Sequence, residues 1–174
     1  MKHKTLQLKP QDIILALKLI LTSGSDWRMT DIAQDLFISQ SEVSTGLKRL
    51  MQAKLIDSAK KNVLRANLYE FLIHGLKYAF PASLGSVQRG IVTAYSAEPI
   101  ASLIQGGAAT AVVWPWGEGD VRGEALVPLY PTLPQAAMKD PDLYRLLSLS
   151  DTLRIGRARE QKLAAQELKK AIMN

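Results

Sequence analysis

The chain has no cysteine. Disulfides, thiolate metal ligands and cysteine nucleophiles are excluded together, and a reducing, cytoplasmic setting is the expectation. Histidine is nearly as scarce, with His3 near the start and His74 alone in a helical stretch, so a metal or catalytic role for either is not expected. Gly106-Gly107 lacks the Lys-Ser/Thr of a phosphate loop, and no serine stands in a Gly-x-Ser-x-Gly elbow. No enzyme, cofactor or metal is read from these residues. Long apolar runs are missing too: nothing approaches the roughly 20 residues that span a bilayer, so no membrane partner is expected. Ile13 to Leu21, after the basic Met1 to Lys4, looks superficially like a signal peptide. Pro10 and Asp12 precede it and Lys18 interrupts it, so it reads as an amphipathic helix with Ile13, Ile14, Leu17, Ile20 and Leu21 inward.

What is present is apolar residue in quantity, 47% of the chain, enough to form a core. Charge is uneven. Residues 1–65 hold 11 Lys/Arg against 6 Asp/Glu, residues 66–150 hold 5 against 7, and residues 151–174 hold 6 against 3. Basic ends around an acidic middle suit phosphate binding, although a solvated basic face has the same composition.

Local signals order the N-terminal third. A helix runs from Pro10 to about Ser23, and Gly24 stops it. Asp26 to Met29 suits a small strand. Thr30 is positioned to cap a second helix with Ile32, Ala33 and Leu36 inward. Ser39 and Glu42 stand at capping-box spacing and begin a third helix, about 39–53, whose Val43, Leu47, Leu50 and Met51 repeat at helical intervals. Gly46, poor in a helix, predicts close packing against another helix. Leu55 to Leu64 reads as strand, basic turn and strand, and a helix follows from Ala66 to Ala79.

A second helix that enters the major groove needs short polar side chains at its leading end and cations one turn on. Ser39, Gln40, Ser41, Ser44 and Thr45, followed by Lys48 and Arg49, meet that need, and Lys60 and Lys61 occupy the basic turn. Three pieces, Met29 to Leu36, Ile38 to Ser44 and Leu47 to Ile56, resemble the MarR-like winged helix-turn-helix transcriptional regulators of bacteria. Their pattern has Ile-Ala-x-x-Leu, then Ser-x-Ser-x-Val-Ser, then a Leu-Ile exit into the wing. Lys54 stands where that family usually has glycine. The resemblance covers about residues 10–65. It implies a homodimer on double-stranded DNA, with base contacts from Gln40, Ser41, Ser44 and Thr45. Phosphate contacts would come from Thr30, Ser39, Lys48, Arg49, Lys60 and Lys61.

The expected fold is mainly α with small β. A winged helix-turn-helix and its following helix occupy 1–80, and a Gly/Pro-rich region with extended segments at 109–114 and 121–127 occupies 81–139. Helices for dimerisation or partner docking, with starts at Asp140 and Asp151, occupy 140–174. Pro128, Pro131 and Pro134 predict an irregular path. Two other functions are open. An interaction module, antitoxin-like or adaptor, would hold a protein through 81–174. A ligand-responsive sensor would use Trp114, Trp116 and Tyr130 as its pocket, although such aromatics more commonly build core.

Overall fold

Helix α1 (Pro10–Leu21) is the axis of the molecule. Pro10 occupies the first turn, where a missing N–H costs nothing, and the Asp12 carboxylate accepts from the Lys9 N–H at 2.7 Å. Every residue from Asp12 to Ile20 is buried. The expected solvent face does not exist, because α1 is packed by α2 (Met29–Leu36), α3 (Gln40–Gln52) and α8 (Pro141–Ile155). A helix buried all round is apolar on nearly every side, here with Asp12 and Lys18 as ion-paired exceptions, which explains its likeness to a signal sequence. The computed structural model describes residues 6–60, 62–104, 106 and 110–174.

Asp26 to Met29 forms no strand. The segment is the extended lead-in to α2, whose N-cap is Arg28 rather than Thr30. The Arg28 N–H donates to Asp31 Oδ2 at 3.0 Å, so the aspartate does the capping expected of Thr30. A left-handed Phe37, φ 54°, turns the chain from α2 into α3. After α3, Ile56 bridges Val63, and the Leu64 and Asp57 N–H groups donate to the Leu55 and Asn62 carbonyls at 2.9 Å. This is a minimal hairpin. Lys54 enters it at φ 57°, a conformation that favours glycine. The single helix expected at 66–79 divides at Gly75 into α4 (Arg65–His74) and α5 (Leu76–Ala79).

The middle of the chain is more regular than its glycines and prolines suggested. Strand β1 (Leu84–Val92) was not expected, because residues 85–89 are exposed and show no apolar alternation. Strands β2 (Ala111–Pro115) and β3 (Val121–Leu126) match the two extended segments. β1 pairs antiparallel with both, β2 lies parallel to β3, and the three close on one another. Closure brings backbones together: a Cβ on Gly90 would stand 2.0 Å from the Trp114 carbonyl oxygen, and one on Gly123 2.3 Å from that of Ala111. Helix α6 (Ile100–Leu103) follows a 3₁₀ turn at Ala94–Ser96.

The proline run ends in a helix instead of an irregular path. Pro134 falls in the first turn of α7 (Leu133–Lys139), where proline is tolerated. Asp140 caps α8, accepting from the Leu143 N–H at 3.0 Å. The last break lies at Gly156 and not at Asp151, which is inside α8; α9 is Ala158–Met173.

One buried cluster includes Leu17 of α1, Leu50 of α3, Leu72 of α4, Trp114 of β2, Leu146 of α8 and Leu168 of α9. The three sequence segments therefore share a core. A small second cluster, Ala94, Val112 and Leu126, fills the strands. No helix among the described residues is long and apolar enough to cross a membrane.

Gly46 performs the expected service. A Cβ there would lie 2.8 Å from Leu15 Cδ2 and 3.0 Å from Asp12 Oδ1. Gly46→Ala should destabilise the fold by about 1–3 kcal/mol despite the better helix propensity of alanine, because the added methyl overpacks the α1–α3 contact. Chemical denaturation measures it, and a gain in stability would show that α1 yields at this point.

Candidate nucleic-acid interface

The outer surface of α3 is polar because its inner surface is fully used. Val43, Gly46, Leu47 and Leu50 are buried against α1 and α2. Gln40, Ser41 and Lys48 are exposed, and Ser44 and Thr45 are half-buried. These five fall on one side of the helix by its 3.6-residue period. Ser39 caps the helix as expected, its hydroxyl oxygen accepting from the Glu42 N–H at 3.1 Å. The Ser39 O–H remains free to donate. Thr45 spends its O–H on the Ser41 carbonyl at 2.8 Å, which leaves its oxygen lone pair and methyl group for a partner. Thr30 is half-buried on α2, its hydroxyl 3.4 Å from Asp31 Oδ1.

One expected phosphate contact fails on burial. Arg49 is 5% exposed, and its Nε and Nη2 each donate to the Asp12 carboxylate at 2.7 Å. A guanidinium committed bidentately to a buried carboxylate has no free donor face for a phosphate, so Arg49 is withdrawn from the contact set. Helical spacing explains this: Arg49 lies three residues after Gly46, on the side turned toward α1. The carboxylate hydrogen bond holds its charge firmly above the usual arginine value, against the cost of burial. Trp114 follows the commoner reading of such aromatics and builds core. It is 0% exposed, its indole N–H donates to Asp151 Oδ2 at 2.6 Å, and it meets Tyr144 edge-on. Trp114 is core; Trp116 is half-buried two residues on, and the Tyr130 hydroxyl is taken up by Glu42 of α3.

Beside α3 runs an open groove of about 720 Å³. Ser44 and Leu47 form one wall, Trp27 and the α1–α2 loop another, and Lys60 and Asn62 of the hairpin a third. Lys60 is half-buried at φ 59°. Lys61 lies outside the described residues.

The capping box is only half formed. The Glu42 carboxylate turns away from the Ser39 backbone and accepts from the Tyr130 hydroxyl at 3.2 Å. Thr132 donates to the Leu36 carbonyl at 2.9 Å, and Lys139 Nζ stands 4.6 Å from the Phe37 ring centroid. Lys18 of α1 reaches both Asp35 of α2 and Asp140 at 2.8 Å. Burial opposes its charge, but hydrogen bonds to Asp140 and Asp35 outweigh burial and raise its pKa. Residues 130–140 thus brace the α2–α3 turn. The partners are about 90 to 120 positions apart in the chain, so local spacing carries no trace of them.

No family model, curated protein or solved structure matches this chain.

Proposed function

We propose that the chain is a DNA-binding transcriptional regulator, acting as a homodimer, with α3 as the recognition helix of a winged helix-turn-helix. The observation that supports this best is the polar stripe Gln40, Ser41, Ser44, Thr45 and Lys48 on a helix otherwise buried and braced. In this reading α3 lies in the major groove. Gln40, Ser41 and Ser44 face base edges, where short polar side chains have both donors and acceptors. Lys48 and the Ser39 hydroxyl meet phosphates, and Lys60 reaches the flanking backbone from the hairpin. Two copies would place two such helices one helical turn apart, which calls for an inverted-repeat site.

The test is selection of bound duplexes from a random pool, followed by affinity measurement across a salt series. Lys48→Ala should weaken binding to all sequences alike and reduce the slope of log K against log salt by about 0.9, the share of one phosphate. Gln40→Ala should relax the selected sequence instead. A chain that shows no salt-sensitive DNA binding would sink the proposal. If such a chain is recovered from cells with one protein in fixed proportion, the interaction module replaces it.

A further inference from the structure

A cavity of about 660 Å³ opens where the three strands meet the end of α8 and the start of α9, on the opposite side of the chain order from α3. Its size falls within the range of small-molecule sites. Leu84 and Ile155 are among its apolar walls, and Tyr95, Ser96, Thr110, Glu124, Arg157 and Glu160 are its polar lining. The carboxylates are the unusual part. Glu160 Oε2 is buried with no hydrogen-bond partner. Glu124 is half-buried on β3, and its side chain has neither hydrogen bond nor ion pair among the described residues. Arg157, the one cation among the described residues that line it, is exposed and forms no ion pair with either glutamate.

Tyr95 reports how these charges converge. Burial raises its hydroxyl above the ordinary tyrosine value, the Glu124 and Glu160 charges raise it further, and Arg157 pulls the other way. An acceptor oxygen held out of water without a donor is costly, and an ionised one more so. A cation entering the cavity would relieve that cost at Glu160 and would be attracted by the half-buried Glu124 beside it. Metal ions are poorly suited, since no group of three or more His, Cys, Asp or Glu side chains among the described residues could hold one. The apolar walls call for carbon.

We propose that this cavity binds a small organic cation, an ammonium or guanidinium group on an apolar body. Glu160 and Glu124 hold the charge, Leu84 and Ile155 enclose the body, and the Tyr95 ring flanks the charged end. The site shares no residue with the α3 surface, and it stands whether or not the chain binds DNA.

The experiment titrates the full chain with phenethylammonium by calorimetry. 2-Phenylethanol and 3-phenylpropionate serve as the neutral and anionic controls of similar shape. Saturable binding of the cation is expected, at least about tenfold tighter than either control, and about tenfold weaker in Glu160→Gln and in Glu124→Gln. Circular dichroism establishes that each variant is folded; if Glu160→Gln is not, Glu124→Gln decides. Equal binding of all three probes overturns the proposal. So does absence of saturation by the cation, or undiminished binding in a folded glutamine variant.

Discussion

Arg49→Ala is expected to lose about 3–5 kcal/mol of folding stability, the usual cost of leaving one partner of a buried ion pair alone. Asp12 is 1% exposed and meets Arg49 through two bonds of 2.7 Å. Its Oδ2 also accepts from the Lys9 N–H, so removal of the guanidinium strands a carboxylate that must stay inside to cap α1. At this chain length each kcal/mol moves Tm by roughly 2–4 °C, so the loss is visible by calorimetry. The double variant Asp12→Leu/Arg49→Met should recover most of it. An apolar pair fills the same space without desolvating charge, and about 1 kcal/mol stays lost with the cap. If Arg49→Ala keeps its Tm, the ion pair is not buried in solution. If the chain binds DNA as proposed, any effect of Arg49→Ala on that affinity should follow the unfolded fraction and leave the salt slope of the folded protein unchanged, which separates it from Lys48→Ala.

Asp151→Ala should cost a comparable amount, about 3–5 kcal/mol, because this carboxylate is the knot between α8 and the strands. Its Oδ2 accepts from Thr93 Oγ1 at 3.0 Å and Trp114 Nε1 at 2.6 Å, and its Oδ1 from Arg154 Nη1 at 2.8 Å. Alanine would orphan three donors at once, two of them on groups with no exposure. Burial also pushes the Asp151 carboxyl above the ordinary carboxylate range, with Arg154, Trp114 and Thr93 pulling it back. The charge is therefore expensive to hold, and Asp151→Asn should lose less than Asp151→Ala, since an amide oxygen still accepts from Trp114. Tryptophan emission tests it directly: Asp151→Ala should shift to longer wavelength as Trp114 gains water, and Asp151→Asn should shift less. Equal losses in the two variants would mean that the charge, and not the acceptor, ties the elements together.

Where sequence spacing worked, the signal was local. Ser39 with Glu42, Asp140 with Pro141, and the apolar repeat of Val43, Leu47 and Leu50 each placed a helix correctly, because capping and periodicity act within a turn or two. Gly46 was legible for the same reason, as a residue whose local cost required a tertiary return. β1 escaped because its exposed residues have no inward face to alternate with, and its pairing is with strands some 20 to 40 positions on. Arg49 and Lys48 are adjacent in sequence and alike in charge, yet the helical turn sends one into the core and the other into solvent. Asp12, 37 positions away, then supplies the carboxylate that makes burial of Arg49 tolerable.

The sequence by itself determined the order of helices in the first 55 residues, the polar character of the leading end of α3, and the exclusion of thiol chemistry. Each follows from residue type or from contacts within one turn. The tertiary structure alone decided which cation is available, that Trp114 is core, that residues 130–140 brace the α2–α3 turn, and that Glu124 and Glu160 share a cavity. Those facts depend on which distant segments exclude water together, and burial of that kind is a property of the packed chain and of no single stretch of it.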